Sequence, residues 1–389
     1  MIERLLIVSE PGRDGVFVYV RSLVEYLHRA HPEIRVDLAY SSRRGGEALR
    51  QLVGAVEARG GEAADLNVGN SPEPGDLAAL ARLVGWTRRR KIQLVHAHSS
   101  KAGALVRLAA LVPGFPPVIY TPHAYFGLPR RGGKKEWIFN GVETLLGRLG
   151  RTHNCSEDER DFAVQVLKLD PRSLRVIHHG IDLDLYSPAD PATKIALRRE
   201  LGLPESARLL VTVGRESVQK NYGPLYAALD SFLPNSGAAF AHAGNGSVEL
   251  RESLAPAARE RAFAFHYLDH PEKLLRAADG FILTSRYEGL SFSMLQALGC
   301  GLPLILTAAP GLRVLQSIGF EGVLWLDDPA RPNEIRAALE KWNRGLPPNH
   351  FRELAERHFS ADRQLEEMVR FYEDLAGRDT LNTVRARAR

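Results

Sequence analysis

The apolar positions of the chain alternate between two periodicities from its start. Leu5–Val8 is a short continuous apolar run, which is typical of a buried strand, and a polar loop follows it. The next apolar residues keep helical spacing: Val16, Val20, Leu23, Val24 and Leu27. Further apolar runs that indicate strands recur up to residue 177: Val36–Ala39, Ala63–Val68, Gln93–His98, Val118–His123, Thr152–Cys155 and Leu174–Ile177. Strands that alternate with helices of this length predict a parallel sheet covered by helices on both faces.

The pattern stops at His179–Pro191, a segment with Gly180, two prolines and no periodicity, which we interpret as a linker. It restarts with an apolar run at Leu209–Val213 and continues to an amphipathic helix at Ala361–Leu375. The sequence therefore predicts an α/β protein with two doubly wound domains and a cleft between them.

Composition and charge narrow the class of protein. The 389 residues are 44% hydrophobic and 25% charged, which suits a globular protein with two cores. A net charge of +5 suits an anionic substrate or an anionic membrane surface, and it is too weak to indicate nucleic-acid binding. The two cysteines, Cys155 and Cys300, form no disulfide framework, and the apolar start is too short for a signal peptide. We expect a cytoplasmic protein.

The stretch FILTSRYEGLSFSMLQALGCGLPLILT, residues 281–307, predicts a strand, a glycine turn, a helix and a second strand. Glu288 and Gly289 come just after the first strand, and Ser291 is placed to cap the helix. Because open α/β sheets bind ligands beyond the carboxyl ends of their strands, a carboxylate, free backbone N–H groups and a helix N-terminus converge there. This combination suits a polyhydroxylated, anionic ligand.

Two further strand ends carry candidate binding residues. Gly214 and Arg215 follow Leu209–Val213, and Lys220 opens the next helix. The two cations suit a diphosphate, or they are solvated surface charges. The Gly244-Asn245-Gly246 segment is an ordinary turn or a close approach of the backbone to a ligand.

Together these segments resemble the family 4 retaining glycosyltransferases of the GT-B fold. The resemblance rests on VGRESVQKN, HAGNG and SRYEGLSFSMLQALGCGLPLILT, with weaker support from VHAHSS, YTPHAYF and HHGIDLDLYSP. For this fold we expect an N-terminal acceptor-side domain over 1–185 and a nucleotide-sugar-binding domain over 186–358. A helix over 359–378 would return to the N-terminal domain, and 379–389 would be a disordered tail.

The resemblance implies roles for matching residues. Arg215 and Lys220 would bind the donor diphosphate, Glu288 the hydroxyls of the donor sugar, and His123 would lie on the acceptor side. The remaining residues implied to bind the donor are Gly15, Gly214, Gly244, Gly289, Leu290, Ser291, Phe292 and Gln296. Gln296 stands where the family usually has a second glutamate that binds the ribose, and Gly15 belongs to a loop that lacks the adjacent glycines of many relatives.

Histidines at strand ends raise the question of a metal. His96 and His98 share one face of a strand and His123 ends another, so zinc is conceivable. No cysteine or third ligand at metal spacing accompanies them in the sequence, and we therefore predict no metal site. No cofactor is expected either, because a nucleotide sugar is a substrate.

A basic loop after His123 is the last notable feature. Arg130, Arg131, Lys134 and Lys135 precede Trp137 and Phe139. The segment resembles the surface with which relatives dock on anionic membranes, or it is a solvated charged loop.

The expected activity is metal-independent, retaining transfer of a sugar, from a UDP-sugar in particular. The expected acceptor is a glycan or a polyprenyl-diphosphate-linked oligosaccharide in cell-surface polysaccharide synthesis. The protein would then work in the cytoplasm, with peripheral contact to the inner face of the cell membrane. A nucleotide-sugar epimerase of the same architecture and a catalytically silent sugar-nucleotide-binding protein stay open as alternatives.

Overall fold

The computed structural model describes residues 2–69, 71–346 and 350–387, without the side chains of residues 44 and 377–387. It divides into two compact units. Unit 1 is Met1–His179 with Asp362–Arg389, and unit 2 is Gly180–Ala361. The predicted domain limits, 185/186 and 358/359, lie within a few residues of these divisions.

Unit 1 is built on a seven-stranded sheet in which each pair of neighbouring strands is parallel. Its strands are β1 (Arg4–Ser9), β2 (Arg35–Tyr40), β3 (Ala63–Asp65), β4 (Leu94–His98), β5 (Val118–Thr121), β6 (Arg151–Asn154) and β7 (Leu174–Val176). Its first six helices are α1 (Asp14–Ala30), α2 (Glu47–Ala58), α3 (Gly75–Arg90), α4 (Ser100–Ala109), α5 (Lys134–Leu146) and α6 (Glu157–Gln165). The strand order β3-β2-β1-β4-β5-β6-β7 makes the sheet doubly wound.

Unit 2 repeats the architecture with six parallel strands in the order β10-β9-β8-β11-β12-β13. The strands are β8 (Leu209–Val213), β9 (Ala239–Ala243), β10 (Ala262–Phe265), β11 (Gly280–Leu283), β12 (Leu304–Thr307) and β13 (Leu324–Leu326). The helices are α7 (Pro191–Glu200), α8 (Tyr222–Ser236), α9 (Ser247–Glu252), α10 (Pro256–Arg259), α11 (Pro271–Ala277), α12 (Phe292–Gly299), α13 (Val314–Ser317), α14 (Pro332–Arg344) and α15 (Phe351–His358).

The last helix, α16 (Ala361–Arg387), belongs to unit 1 from Asp362 onwards. Tyr372 on this helix is buried, and its hydroxyl lies 2.7 Å from Nδ1 of His96 on β4. Glu366 binds the hydroxyl of Tyr26 on α1 at 2.8 Å. The predicted tail over 379–389 falls outside the fully described residues.

The continuous apolar runs form buried strands because helices cover both faces of each sheet. Leu6, Val8 and Val95 pack with Trp86 of α3 in unit 1. Ile282 and Ile305 pack with Trp342 and other side chains in unit 2. The prediction of two doubly wound α/β domains is confirmed.

Helix α7, which begins at Pro191, the last residue of the predicted linker, was not predicted from the sequence. Helix α7 begins directly after Asp190, whose carboxylate Oδ1 accepts hydrogen bonds from the backbone N–H groups of Ala192 and Thr193 at 2.9 and 3.0 Å. Pro191 occupies the first turn, where its missing N–H costs nothing. An aspartate before a proline is a helix start signal, and here it outweighs the lack of apolar periodicity.

Candidate functional site

Each sheet has a point at which the strand order reverses, between β1 and β4 in unit 1 and between β8 and β11 in unit 2. Open α/β sheets bind ligands beyond the carboxyl ends of the strands at such points. In unit 2 the loops at this point run from Gly214 to Asn221 after β8 and from Thr284 to Ser291 after β11.

Lys220 and Glu288 form an ion pair across these two loops. Lys220 Nζ lies 2.8 Å from Glu288 Oε1, and the side chains are only 16% and 9% exposed. Glu288 also accepts hydrogen bonds from Ser285 Oγ at 2.7 Å and from Gln219 Nε2 at 3.0 Å. The alternative that both predicted cations are solvated surface charges is therefore wrong for Lys220, whereas Arg215 is exposed.

The charge on Lys220 is maintained by its surroundings. Burial lowers the pKa of the Lys220 ammonium, but the carboxylate of Glu288 and the hydroxyl of Tyr222 together raise it by more, so the net pKa lies above its ordinary value. The site consequently holds a fixed, paired cation and anion side by side.

The backbone keeps the two loops in register. Gln219 O accepts a hydrogen bond from Arg286 N at 2.8 Å, and Lys220 O accepts one from Thr284 Oγ1 at 3.1 Å. These hydrogen bonds hold the loop that carries Lys220 against the loop that carries Glu288, and they do not involve either charged side chain.

Glu288 is also held from a third loop. Its N–H donates to Pro310 O at 2.9 Å, and a Cβ on Gly311 would lie 2.2 Å from Glu288 O. Gly311 has a φ of +75°, which glycine adopts readily. Sequence reasoning missed Gly311, Gln219 and Ser285, and only the position of Ser285 directly after a predicted strand could have indicated a role.

Gly214 and Gly244 lie where two loops touch. Gly214 N donates to Ala243 O at 2.8 Å, and a Cβ on Gly244 would lie 2.1 Å from Gly214 O. His242 Nε2 donates to the same carbonyl at 2.8 Å. Burial lowers the pKa of His242 to about 4, so its imidazole is neutral at pH 7. Gly244 is thus required by close approach between two backbone segments.

Helix α12 begins where the sequence predicted. Ser291 is its N-cap, and Ser291 Oγ accepts from Met294 N at 3.4 Å. Gly289, Leu290 and Ser291 are buried, and Phe292 is half-buried. The N-cap of α12, Ser291, follows Glu288 by three residues. The N-terminus of the helix therefore lies close to the ion pair of Lys220 and Glu288.

Gln296 is buried, and its amide Nε2 donates to the hydroxyl of Tyr186 at 2.9 Å. One end of the amide is therefore engaged inside unit 2, a contact that no spacing in the sequence indicated.

In unit 1, Gly15 is an exposed residue in the first turn of α1, and His123 follows β5 with a φ of +55°. His123 Nε2 lies 3.1 Å from His98 Nδ1. Burial, followed by the neighbouring histidines His179 and His98, lowers the pKa of His123 well below its ordinary value. Its imidazole is therefore neutral at pH 7.

Two potential metal ligands lie beside His123. Cys155 and His179 each place a ligand atom within 4.8 Å of a ring nitrogen of His123 and of one another. A cysteine and a third potential ligand thus accompany His123 in the fold, because residues far apart in sequence meet at neighbouring strand ends, whereas the absence of a bound metal stays a prediction.

His96 has a different environment. Its Nδ1 contacts Tyr372, and its Nε2 lies 2.7 Å from Thr121 Oγ1, which lies 2.8 Å from His153 Nδ1. This buried chain of polar groups satisfies the histidine within the core.

The basic loop leads into a helix with an exposed apolar face. Trp137 and Leu145 on α5 are 78% and 67% exposed, and Ile138 and Val142 are exposed with them. Lys135 lies over the ring of Phe126. In the described part of the chain, no helix has both the length and the apolar character needed to cross a membrane.

Two family models match the chain. The model "Glycosyltransferase Family 4" matches residues 13–185, and "Glycosyl transferases group 1" matches residues 207–342. The chain belongs to the family 4 glycosyltransferases.

This family 4 chain is 30% identical over 265 residues to the Escherichia coli UDP-Gal:alpha-D-GlcNAc-diphosphoundecaprenol alpha-1,3-galactosyltransferase, covering 64% of this chain and 66% of that protein. It is 28% identical over 253 residues to a D-inositol 3-phosphate glycosyltransferase of Mycolicibacterium gilvum, covering 63% of this chain and 53% of that protein.

The GT-B fold is shared with solved structures. Anabaena HepE in complex with UDP and glucose superposes with a TM-score of 0.76 at 18% identity, over 96% of this chain and 100% of that one. The fold class predicted for this family 4 glycosyltransferase is therefore confirmed.

Proposed function

We propose that this chain is a retaining, metal-independent glycosyltransferase that takes a sugar from a UDP-sugar. Its acceptor is a glycan or a lipid-linked oligosaccharide in cell-surface polysaccharide synthesis. The observation that carries the proposal is the ion pair of Lys220 and Glu288 at the strand-order reversal of unit 2, next to the N-terminus of α12. The name of the Escherichia coli relative, with its UDP-Gal donor and diphosphoundecaprenol acceptor, supports the choice of substrates.

The reaction breaks the bond between the sugar and the diphosphate, which leaves positive charge on the sugar and negative charge on the diphosphate. Arg215 and Lys220 stabilise the departing diphosphate, Lys220 as a cation already held in place. The proposal assigns the backbone of Gly214 and Gly244, which carries no side chains, to contact the phosphates. These two cations supply the electrostatic stabilisation that a bound metal ion can give.

Glu288 accepts hydrogen bonds from hydroxyls of the donor sugar. Because Lys220, Ser285 and Gln219 already fix its carboxylate, little ordering is needed when the sugar binds. The N–H groups from Gly289 to Phe292 hold the sugar and the phosphate, and Gln296 binds the ribose. In unit 1, the proposal assigns Gly15 to the donor diphosphate and His123 to the acceptor side of the sugar.

We further propose that α5 and the basic loop before it contact the cytoplasmic face of an anionic membrane. Exposed Trp137, Ile138, Val142 and Leu145 provide apolar surface, and Lys134 and Lys135 provide charge at the start of the same helix. An amphipathic helix of this kind binds at the interface without crossing the bilayer.

The test has two stages. A thermal-shift screen with UDP-, GDP-, ADP- and TDP-sugars identifies the donor, because a ligand that binds only the folded state raises the melting temperature. The chosen donor is then incubated without acceptor, and the products are separated. Slow release of free sugar and nucleoside diphosphate, unaffected by a chelator, supports the proposal.

Two other outcomes would replace it. Epimerised nucleotide sugar would indicate an epimerase. Binding without turnover, also with lipid-linked acceptors, would indicate a silent sugar-nucleotide-binding protein, which the uncharged Gln296 favours. Glu288→Ala is expected to abolish transfer and leave UDP binding largely intact, and unchanged turnover would remove Glu288 from the mechanism.

A further inference from the structure

Three potential metal ligands lie at the ends of three adjacent strands in unit 1. His123 follows β5, Cys155 follows β6 and His179 follows β7, and these strands pair in that order. Because parallel strands end at the same edge of a sheet, residues that are far apart in the chain meet there. We propose that His123, Cys155 and His179 bind one zinc-type divalent cation.

The spacing of the donor atoms supports this site. All three lie within 4.8 Å of one another, and Cys155 Sγ is 3.9 Å from His123 Nδ1. Zinc–ligand bonds of about 2.0–2.3 Å in tetrahedral geometry place donor atoms roughly 3.3–3.8 Å apart. Small side-chain movements therefore bring the three atoms to bonding distance.

The chemistry of the donor set selects the cation. Two imidazoles and one thiolate, which forms when the bound cation displaces the Cys155 proton to solvent, suit zinc. They do not suit magnesium or calcium, which prefer oxygen. Three protein ligands leave a fourth position for water, as in open zinc sites.

Surrounding groups hold the ligands in place. Glu159 is fully buried, and its two carboxylate oxygens accept hydrogen bonds from Ala124 N at 2.6 Å and from Cys155 N at 2.7 Å. One side chain thereby fixes the backbone beside His123 and at Cys155. His98 Nδ1, 3.1 Å from His123 Nε2, orients the ring so that Nδ1 faces the thiol. Such supporting contacts accompany metal ligands generally.

Access and burial also fit. Cys155 and His179 are buried, whereas His123 is half-buried, so a cation reaches the site from the side of His123. Cys300, the other cysteine, is buried in unit 2 and is absent from the histidine group.

A consequence for activity follows, and it rests on the function proposed above. A cation bound to His123 engages the imidazole that is assigned to the acceptor side of the sugar. Micromolar zinc is therefore expected to inhibit transfer, and a chelator to restore it.

Cobalt(II) titration of the reduced, chelator-treated full-length protein without substrate tests the site. Cobalt bound to a thiolate gives a ligand-to-metal charge-transfer band, and we expect it to saturate at one equivalent per chain. Zinc should remove the band by displacement. Cys155→Ser should lose the band, and Cys300→Ser, the matched control, should keep it.

Folding is checked on the same samples. Zinc should raise the melting temperature of the parent protein and of Cys300→Ser, but not of Cys155→Ser, whose metal-free melting temperature gives the reference. If Cys155→Ser melts too low to titrate, His179→Asn replaces it and should weaken cobalt binding at least tenfold. No charge-transfer band in the parent protein, or a band that survives Cys155→Ser, would overturn the proposal. Because no sugar nucleotide is used, this result stands apart from the proposed activity.

Discussion

Lys220 and Glu288 are each nearly buried, and their side chains form an ion pair. Removing an ionised side chain from water is costly unless an opposite charge and hydrogen bonds replace the water. Here the Glu288 carboxylate accepts hydrogen bonds from Lys220, Ser285 and Gln219. The pair is therefore both a part of the proposed donor site and a contribution to the stability of unit 2.

Glu288→Gln should lower the free energy of unfolding of unit 2 by about 3 kcal/mol, because it leaves Lys220 charged and unpaired in a poorly solvated position. Urea unfolding of the variant measures the change. The double variant Lys220→Met/Glu288→Gln removes the unpaired Lys220 charge as well, so it should recover part of the lost free energy of unfolding. A double variant less stable than Glu288→Gln would contradict this account.

The residues of this site differ in how far the sequence could predict them. Lys220 and Glu288 stand at strand ends in a spacing that resembles a known family, so their place was predictable. Gln219 and Ser285 are ordinary polar residues whose role depends on a side-chain contact between two loops. Cys155 and His179 join His123 only through the pairing of β5, β6 and β7, which spacing along the chain does not express.

At the scale of elements, backbone atoms of the loops after β8 and β9 lie in close contact. Gly244→Ala would place a methyl group 2.1 Å from Gly214 O, so one loop must move. We expect a loss of about 1–3 kcal/mol, as for overpacking elsewhere, together with weaker binding of UDP. Calorimetry of unfolding and of UDP binding measures both.

The matched control for this prediction is Gly223→Ala. Gly223 lies in α8, and a Cβ there meets no atom within 4 Å. Alanine is the better helix former, so stability should stay the same or rise by up to about 1 kcal/mol. Equal losses in the two variants would show that the contact between the loops is unimportant.

Helix α5 gives a second prediction at this scale. Trp137→Ser/Leu145→Ser should reduce sedimentation with anionic vesicles at least tenfold, because it removes most of the exposed apolar surface of the helix. Leu77→Ser is the control, since Leu77 is 76% exposed on α3 of the same unit. Loss of binding in the control, or none in the double variant, would reject α5 as the contact.

Helices and strands with a clear pattern of apolar residues could be predicted from the sequence. Elements whose ends are set by capping residues or prolines were harder to predict. Strands such as β8 match the predicted run because burial on both faces requires continuous apolar residues. Helix α7 was missed because only one of its residues, Arg198, is buried. Its start is fixed by Asp190 and Pro191, which are local signals without an apolar stripe.

At the scale of the molecule, the two units differ in their buried histidines. In the described residues of unit 1, burial lowers the pKa of five histidines: the half-buried His28 and His123, and the buried His96, His98 and His153. Among the described residues of unit 2, burial strongly lowers the pKa of His242 alone. For His153 and His242 the pKa falls to about 4.

Acid should therefore destabilise unit 1 more than unit 2. A histidine with a folded pKa near 4 and an unfolded pKa near 6.5 favours folding above pH 6.5, and this stability is lost as the pH falls toward 4. For His153 and for His242 this loss is about 2 kcal/mol by pH 5, and His96, His98 and His123 add to the loss in unit 1. Glu159 opposes the trend in unit 1, because burial raises its pKa to about 7 and acid relieves that cost, but it offsets only one histidine.

Hydrogen exchange between pH 8 and pH 5, corrected for intrinsic rates, measures the effect. Peptides from β4 should lose protection before peptides from β8. Equal losses, or earlier loss in β8, would contradict the prediction.

The position of α16 in unit 1 has a consequence for protein synthesis. A ribosome that adds about 5–20 residues per second produces Tyr372 roughly 10–40 s after His179. Until then the nascent unit 1 lacks the phenol that contacts Nδ1 of His96 in its core. Unit 2 is complete by Ala361, so the half of the protein that is translated first is the last to acquire all of its native contacts.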